Sequence, residues 1–257
     1  MDINLLVVNV GNTRLAIGTF VSGELKLVKR LTHAQAPDWA GAIAQAWESI
    51  AHIPQAAVAG ASVNPKIMES VEHAIVQATG KNVEWVGREI DLPIDVQTEN
   101  PKETGVDRIV NIAAAYEQMG KACVVVDAGT AITIDCCNDS GAFLGGAILP
   151  GVEAQLDALH QQTARLPRVK FEVPAGPIGN NTQQAILQGI YHGVRGTVKE
   201  LVEQYAMHLG NWPDIIATGG DAQALFSDWE LIHAISPDLT LYGIALAYTN
   251  HYIKHES

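Results

Sequence analysis

The chain has 257 residues, 47% of them hydrophobic and 17% charged, which is apolar enough for a full core and excludes a disordered segment. Its 16 Lys and Arg stand against 28 Asp and Glu, a formal net charge of −12, and no basic cluster exceeds Lys29-Arg30, so nucleic acid is not expected as a partner. No apolar run reaches the roughly 18–20 residues of a membrane span, and Met1-Asp2-Ile3-Asn4 lacks the basic start of a signal peptide, so we expect a cytoplasmic protein without membrane contact.

Leu5 to Val8 is a short apolar run that ends in Asn9-Val10-Gly11-Asn12-Thr13, and Leu15 to Phe20 follows, which reads as two strands around a polar glycine turn. Glu24 to Leu31, behind Ser22-Gly23, adds a third strand. Asp38 to Ile50 carries Trp39, Ile43, Trp47 and Ile50 at helical spacing. Val58 to Val63 is a buried strand, Asn64-Pro65 starts a helix to Thr79, and Val83 to Val86 is another strand. The first half is therefore β-β-β-α-β-α-β, a mixed α/β layer. Ile94 to Gly105, with Pro93, Pro101 and Gly105, reads as a loop. Val106-Asp107-Arg108 then leads into a helix from Ile109 to Met119 and places Asp107 and Arg108 in its exposed first turn, where pattern alone makes Asp107 a favourable first-turn acid and Arg108 a surface charge.

The second half begins by repeating the first. Cys123 to Val126 is β-branched and apolar throughout, Asp127 closes it, and Gly129-Thr130 turns the chain into Ile132 to Cys136. Gly129 lets the backbone lie against an anion, with the Thr130 hydroxyl as donor, although an ordinary hairpin has the same composition. Asn9 and Asp127 lie nearly half the chain apart, so two similar halves, 1–118 and 119–257, could each present a phosphate turn to a shared cleft. Cys123, Cys136 and Cys137 fit neither a disulfide framework nor a zinc site and read as small buried hydrophobes, and the nine His show no ligand spacing. Phe143 to Pro150 is a strand whose Gly145-Gly146 suits either packing or a ligand, and a helix runs from Gly151 to Leu159. Arg165 to Pro177 is a loop with a short strand at Val169 to Val173. Thr182 reads as the N-cap of a helix from Gln183 to Leu209. Ile215 to Thr218 is a strand entering Gly219-Gly220 and a helix, an arrangement at home beside a nucleotide, and a terminal helix ends near Tyr252.

Seven segments stand together in order: Asn9 to Thr13, Asn100-Pro101 with Gly105 to Arg108, Asp127 to Ala131, Gly145 to Gly151, Gly179 to Thr182, Thr218 to Gly220, and Asp238 to Gly243. The set resembles the type III pantothenate kinases, over essentially the whole chain. The resemblance implies an α/β fold of two ribonuclease-H-like halves, with mixed sheets flanked by helices and an active-site cleft between them, in the actin, hexokinase and acetate kinase superfamily. It implies a homodimer that uses ATP, Mg2+ and a monovalent cation, K+ or NH4+, to phosphorylate pantothenate in the first step of coenzyme A biosynthesis. By matching position, Asp107 is the catalytic base, and Thr98, Gly105, Val106, Asp107, Arg108 and Thr182 bind pantothenate. Asn9, Val10, Gly11, Asn12, Thr13, Arg14, Leu15, Ala16, Thr130, Thr218, Gly219 and Gly220 bind ATP, and Asp127 holds the monovalent cation. Two positions depart from the family pattern, which has Asp where Asn9 stands and Tyr about where Thr98 stands. The alternatives are a catalytically weakened member acting as a regulatory or binding protein, and a related small-molecule kinase.

Overall fold

The computed structural model describes residues 3–256. Its framework is two five-stranded mixed sheets. The first uses β1 (Leu5–Val10), β2 (Arg14–Val21), β3 (Glu24–Thr32), β4 (Ala57–Ser62) and β5 (Val83–Trp85) in the order β3-β2-β1-β4-β5. The second uses β6 (Cys123–Ala128), β7 (Ala131–Cys137), β8 (Phe143–Pro150), β9 (Asp214–Thr218) and β10 (Ala234–Ile235) in the order β10-β9-β6-β7-β8. Renumbered within its own half, the second order reproduces the first. The senses match too: β1 pairs antiparallel with β2 and parallel with β4, as β6 does with β7 and β9. The repeat seen in the sequence is a repeat of topology.

Burial explains the apolar runs. In β1, Leu6, Val8 and Val10 pack with Trp39, Ile43 and Trp47 of α1 (Trp39–Trp47) and with Val71 and Ile75 of α2 (Pro65–Thr79). The alternate residues Leu5 and Val7 pack with Val110 of α3 (Val106–Met119) and with Leu241, Ile244 and Ala245 of α7 (Leu239–Glu256). With both faces covered, the strand has no polar side until Asn9. In the second half, Val124, Val126, Ile132 and Ile134 pack on Val152 and Leu156 of α4 (Val152–Gln162), on Leu187, Val194 and Val198 of α5 (Thr182–Leu209), and on Leu225 of the short α6 (Ala222–Phe226).

The contacts group Met1–Asp95, Asn100–Ala114 and Leu239–Ser257 as one compact unit, and Val96–Glu99 with Ala115–Asp238 as the other. Chain order alone divides the protein at 118/119, whereas the terminal helix joins the first unit because its apolar residues cover the first sheet. The division of contacts falls inside α3.

Other differences are local. The helix expected from Asp38 begins at Trp39, behind a 3-10 turn over His33–Asp38 that contains Pro37. Val169 to Val173 is not a strand: Val169 is buried and Phe171 half-buried against the second core, but the segment pairs with no strand, so its alternation records burial alone. The two-residue β10 carries too short a pattern to be read from sequence. Thr182 is not the N-cap of α5. Asn181 is, with extended backbone and a side-chain oxygen accepting the Gln184 N–H at 2.9 Å. All three cysteines are buried free thiols; Cys123 and Cys137 face each other across β6 and β7 with Sγ atoms 3.3 Å apart, and burial pushes the Cys136 thiol up to about 12.

Gly243 sets the crossing of α7 on α3, because a Cβ there would lie 2.0 Å from the Val110 carbonyl oxygen. Gly243→Ala is therefore expected to cost about 1–3 kcal/mol through overpacking against backbone. Urea unfolding measures this, and a parent-like midpoint would show that the helices separate without penalty.

Candidate active site

In the first unit, β1 ends at Val10 and β2 begins at Arg14, and the Gly11 N–H closes the turn on the Arg14 carbonyl at 3.0 Å. Val10 and Leu15 are core side chains, so they can offer a ligand only their backbone. Asn12, Thr13 and Arg14 are exposed. Asn9 is half-buried, and its Oδ1 is fully covered without a hydrogen-bond partner. A covered oxygen with no donor is costly, about 1–3 kcal/mol, unless a ligand supplies one.

The second set in this unit is Gly105 to Arg108. The helix starts at Val106, so Asp107 does lie in its first turn, but it is half-buried where the sequence reading has it exposed. The Arg108 N–H donates to Asp107 Oδ1 at 2.8 Å. A Cβ on Gly105 would stand 2.8 Å from that same oxygen, so the glycine is what lets the carboxylate fold back over the loop. Burial pushes the Asp107 carboxyl above its ordinary 3.8, against the opposing pull of the Arg108 N–H and charge. A carboxylate moved upward in this way is a better proton acceptor than a solvated one.

In the second unit, Asp127 is the penultimate residue of β6 and pairs with Thr218 of the parallel strand β9. Thr218 is buried, Gly219 has φ +93°, and a Cβ on Gly219 would come within 2.4 Å of the Ala128 carbonyl and 2.5 Å of Asp127 Oδ1. The Asp221 N–H ties this turn to the Ala128 carbonyl at 3.0 Å. Gly129 and exposed Thr130 form the other turn, with the Gly129 N–H on the Ala131 carbonyl at 3.0 Å. Asp127, Thr130 and Thr218 to Gly220 are thus brought together. The sequence reading omitted Gly151 from the site. Its N–H donates to the Thr130 carbonyl at 3.2 Å and a Cβ would meet the Gly129 carbonyl at 2.3 Å, so it seats the start of α4 on the Gly129-Thr130 turn. The strand-ending Pro150-Gly151 pair was its only sequence signal. Gly146, by contrast, is a packing glycine, with Ile134 and Asp135 of β7 where its side chain would be. Half-buried Thr98 lies beside Gly145, and exposed Thr182 is the first residue of α5.

Among the described residues no group of three His, Cys, Asp and Glu side chains converges to hold a metal. The oxygens present still suit hard cations. The covered Asn9 Oδ1 is one neutral donor suited to Mg2+, and Asp127 with the Ala128 carbonyl, packed where a side chain at 219 would be, is an oxygen set suited to K+.

Two copies of one mixed-sheet unit with glycine turns at their strand ends define a duplicated α/β fold of two ribonuclease-H-like halves. Solved structures share this fold: a conserved Baf family protein from Campylobacter jejuni (22% identity, 96% of this chain and 99% of that one, TM-score 0.63), and component A of (R)-2-hydroxyglutaryl-CoA dehydratase from Acidaminococcus fermentans (15%, 99% and 100%, TM-score 0.55). The type III pantothenate kinase family model matches residues 5–204, and a type III pantothenate kinase of Dehalococcoides mccartyi is 34% identical over 254 residues, 96% of this chain and 98% of that one. The chain belongs to the type III pantothenate kinase family.

The raised Asp107 pKa has a sign that stability measurements can read. A group whose folded pKa exceeds its unfolded one favours the fold when protonated, below the unfolded 3.8, and that contribution is lost as pH rises through the folded value. Asp107→Asn, which keeps an oxygen for the Arg108 N–H, is expected to be as stable as the parent or more so at pH 7, with the gain vanishing in acid. Thermal midpoints from pH 3 to 7 test this; a variant clearly less stable at pH 7 would contradict it.

Proposed function

We propose that this chain transfers the γ-phosphoryl group of ATP to the hydroxyl of pantothenate, giving 4'-phosphopantothenate and ADP in the first step of coenzyme A biosynthesis. The observation that carries the chemistry is the half-buried Asp107 carboxylate, raised in pKa and held over a glycine loop beside Arg108. Asp107 takes the proton of the attacking hydroxyl, the hydroxyl oxygen bonds to phosphorus, and the bond from phosphorus to the β,γ-bridging oxygen breaks to release ADP. Such a transfer asks the protein for positioning and charge neutralisation more than for covalent chemistry.

Arg108 pairs with the pantothenate carboxylate, while Gly105, Val106, Thr98 and Thr182 line the remainder of the substrate. The Asn9 to Ala16 turn and Thr130 hold the phosphates, and Thr218 to Gly220 flank the adenosine. Asp127 holds a monovalent cation, K+ or NH4+, and Mg2+ would neutralise phosphate charge when bound, with Asn9 Oδ1 as a neutral protein ligand. The active form is a cytoplasmic homodimer.

The direct test is a coupled assay for ADP with product identified by mass. The parent should consume ATP only when pantothenate is present, and Asp107→Asn should lower turnover by about 100- to 10,000-fold. Turnover of the variant within a few-fold of the parent would remove Asp107 from the mechanism.

The second reading, a weakened member with a regulatory or binding role, draws on the neutral Asn9 and on Thr98. Because Asn9 brings no charge to the metal, the phosphates would be its principal ligands. Asn9→Asp should therefore tighten Mg2+-dependent nucleotide binding and shift activity to lower Mg2+. Calorimetric titration of an ATP analogue with and without Mg2+ measures this independently of turnover; unchanged Mg2+ dependence would end the metal role of position 9.

A further inference from the structure

β8 is the last strand of the second sheet, and Ile148 on it has no part in the site above. Ile148 pairs with Thr133 of β7, and Thr133 pairs with Asp127 of β6, so the three form one row across the sheet. Val126, Ile132, Ile134 and Leu149 pack with the core beneath α4 and α5. Paired residues share a face and neighbours along a strand alternate, so Asp127, Thr133 and Ile148 stand on the opposite face. That face is otherwise polar here: Asp135 is buried on it, and its Oδ2 accepts the Thr133 hydroxyl at 2.9 Å. Ile148 is 63% exposed, with only Gly146 and Pro150 beside it on its own strand face. Among the described residues, the other strongly exposed large hydrophobic side chains lie on helices or in loops, so Ile148 is the one presented by a strand.

The same strand joins two parts of the site. Near its start the Gln97 N–H donates to the Phe143 carbonyl at 2.8 Å, and Thr98 Cγ2 lies 3.8 Å from the Cβ position of Gly145. Just past its end the Gly151 N–H donates to the Thr130 carbonyl at 3.2 Å. All of these residues belong to one compact unit. In the kinase reading Thr98 lines pantothenate and Thr130 holds phosphate, so Ile148, midway between Gly145 and Gly151, is level with the part of the acceptor next to the transferred group. It stands two strand spacings, roughly 10 Å, from Asp127, far enough to touch the acceptor and not the cation. In pantothenate the carbon beside the phosphorylated CH2OH carries two methyl groups, and such a branch gains from apolar cover and not from carboxylates or hydroxyls. We infer that Ile148 is a specificity-determining residue, an apolar wall against the geminal dimethyl branch of the acceptor, an inference that rests on the kinase reading above. A strand holds such a contact more rigidly than a loop would.

The test compares pantothenate with an acceptor that keeps its hydroxyls, amide and carboxylate but lacks both methyl groups. The parent is expected to favour pantothenate by about 10- to 100-fold in kcat/KM. Ile148→Ala should lower kcat/KM for pantothenate about 5- to 20-fold, while kcat/KM for the desmethyl acceptor and the KM for ATP stay within about twofold of the parent. Ile148→Val keeps a branched wall and should retain most of the preference. Calorimetric titration with pantothenate reads the same loss without turnover, and thermal midpoints and sedimentation velocity follow the fold and self-association. The inference stands if Ile148→Ala narrows the preference while the protein stays folded in the parent's oligomeric state. It is overturned if the parent does not discriminate, if Ile148→Ala leaves the preference intact or loses both acceptors equally, or if the loss follows a change in self-association or folded fraction. A parent that phosphorylates neither acceptor fails separately, since that result removes the kinase reading itself.

Discussion

Parallel pairing of the first and fourth strands within each sheet is the constraint on which the site depends. It brings two carboxyl ends side by side, and in open α/β sheets this is where backbone groups run out of strand partners and can meet a ligand. In the second unit two positions there have no space for a side chain: the Ala128 and Gly129 carbonyls sit where the Cβ atoms of Gly219 and Gly151 would be. The glycines therefore serve the architecture directly. They let strand ends, turns and helix starts close to distances that any larger residue would block, and this leaves exposed polar side chains such as Thr130 at the rim.

The same packing sets the electrostatics of Asp107. A first-turn acid is normally favoured by the helix dipole and well solvated. Here the Gly105 loop lets the carboxylate turn inward, and burial outweighs both the Arg108 N–H and its guanidinium charge. A half-buried carboxylate that keeps a directed hydrogen bond is the kind of group the proposed phosphoryl transfer would use as its base. Asn9 is the converse: a covered oxygen without a partner, whose neutral charge tempers any metal site built on it.

Duplication makes the halves informative about each other. Asn9 matches Asp127, Ala61 matches Thr218, and Ser62 matches Gly219 by register. Where paired positions carry different residue types, the fold is common to both and the difference is available for function. The terminal helix follows the fifth strand of the second sheet as α3 follows that of the first, yet it covers the first sheet, so the matching units are not contiguous stretches of chain.

Much of this was legible in the residues. Apolar runs ending in Asn9 and Asp127, each followed by a glycine turn, specify buried strands and their turns locally, and the spacing of Trp39, Ile43 and Trp47 specifies a helix face, because periodicity and turn chemistry act over a few residues. What only the tertiary structure decided involves contacts between distant segments. The burial of Asp107, the packing role of Gly146 against β7, the seating of Gly151 on Thr130 and the return of α7 to the first sheet all depend on residues remote in sequence. So does the failure of Val169 to Val173 to become a strand, since alternation shows which side chains are buried, and only an available partner edge makes a ladder.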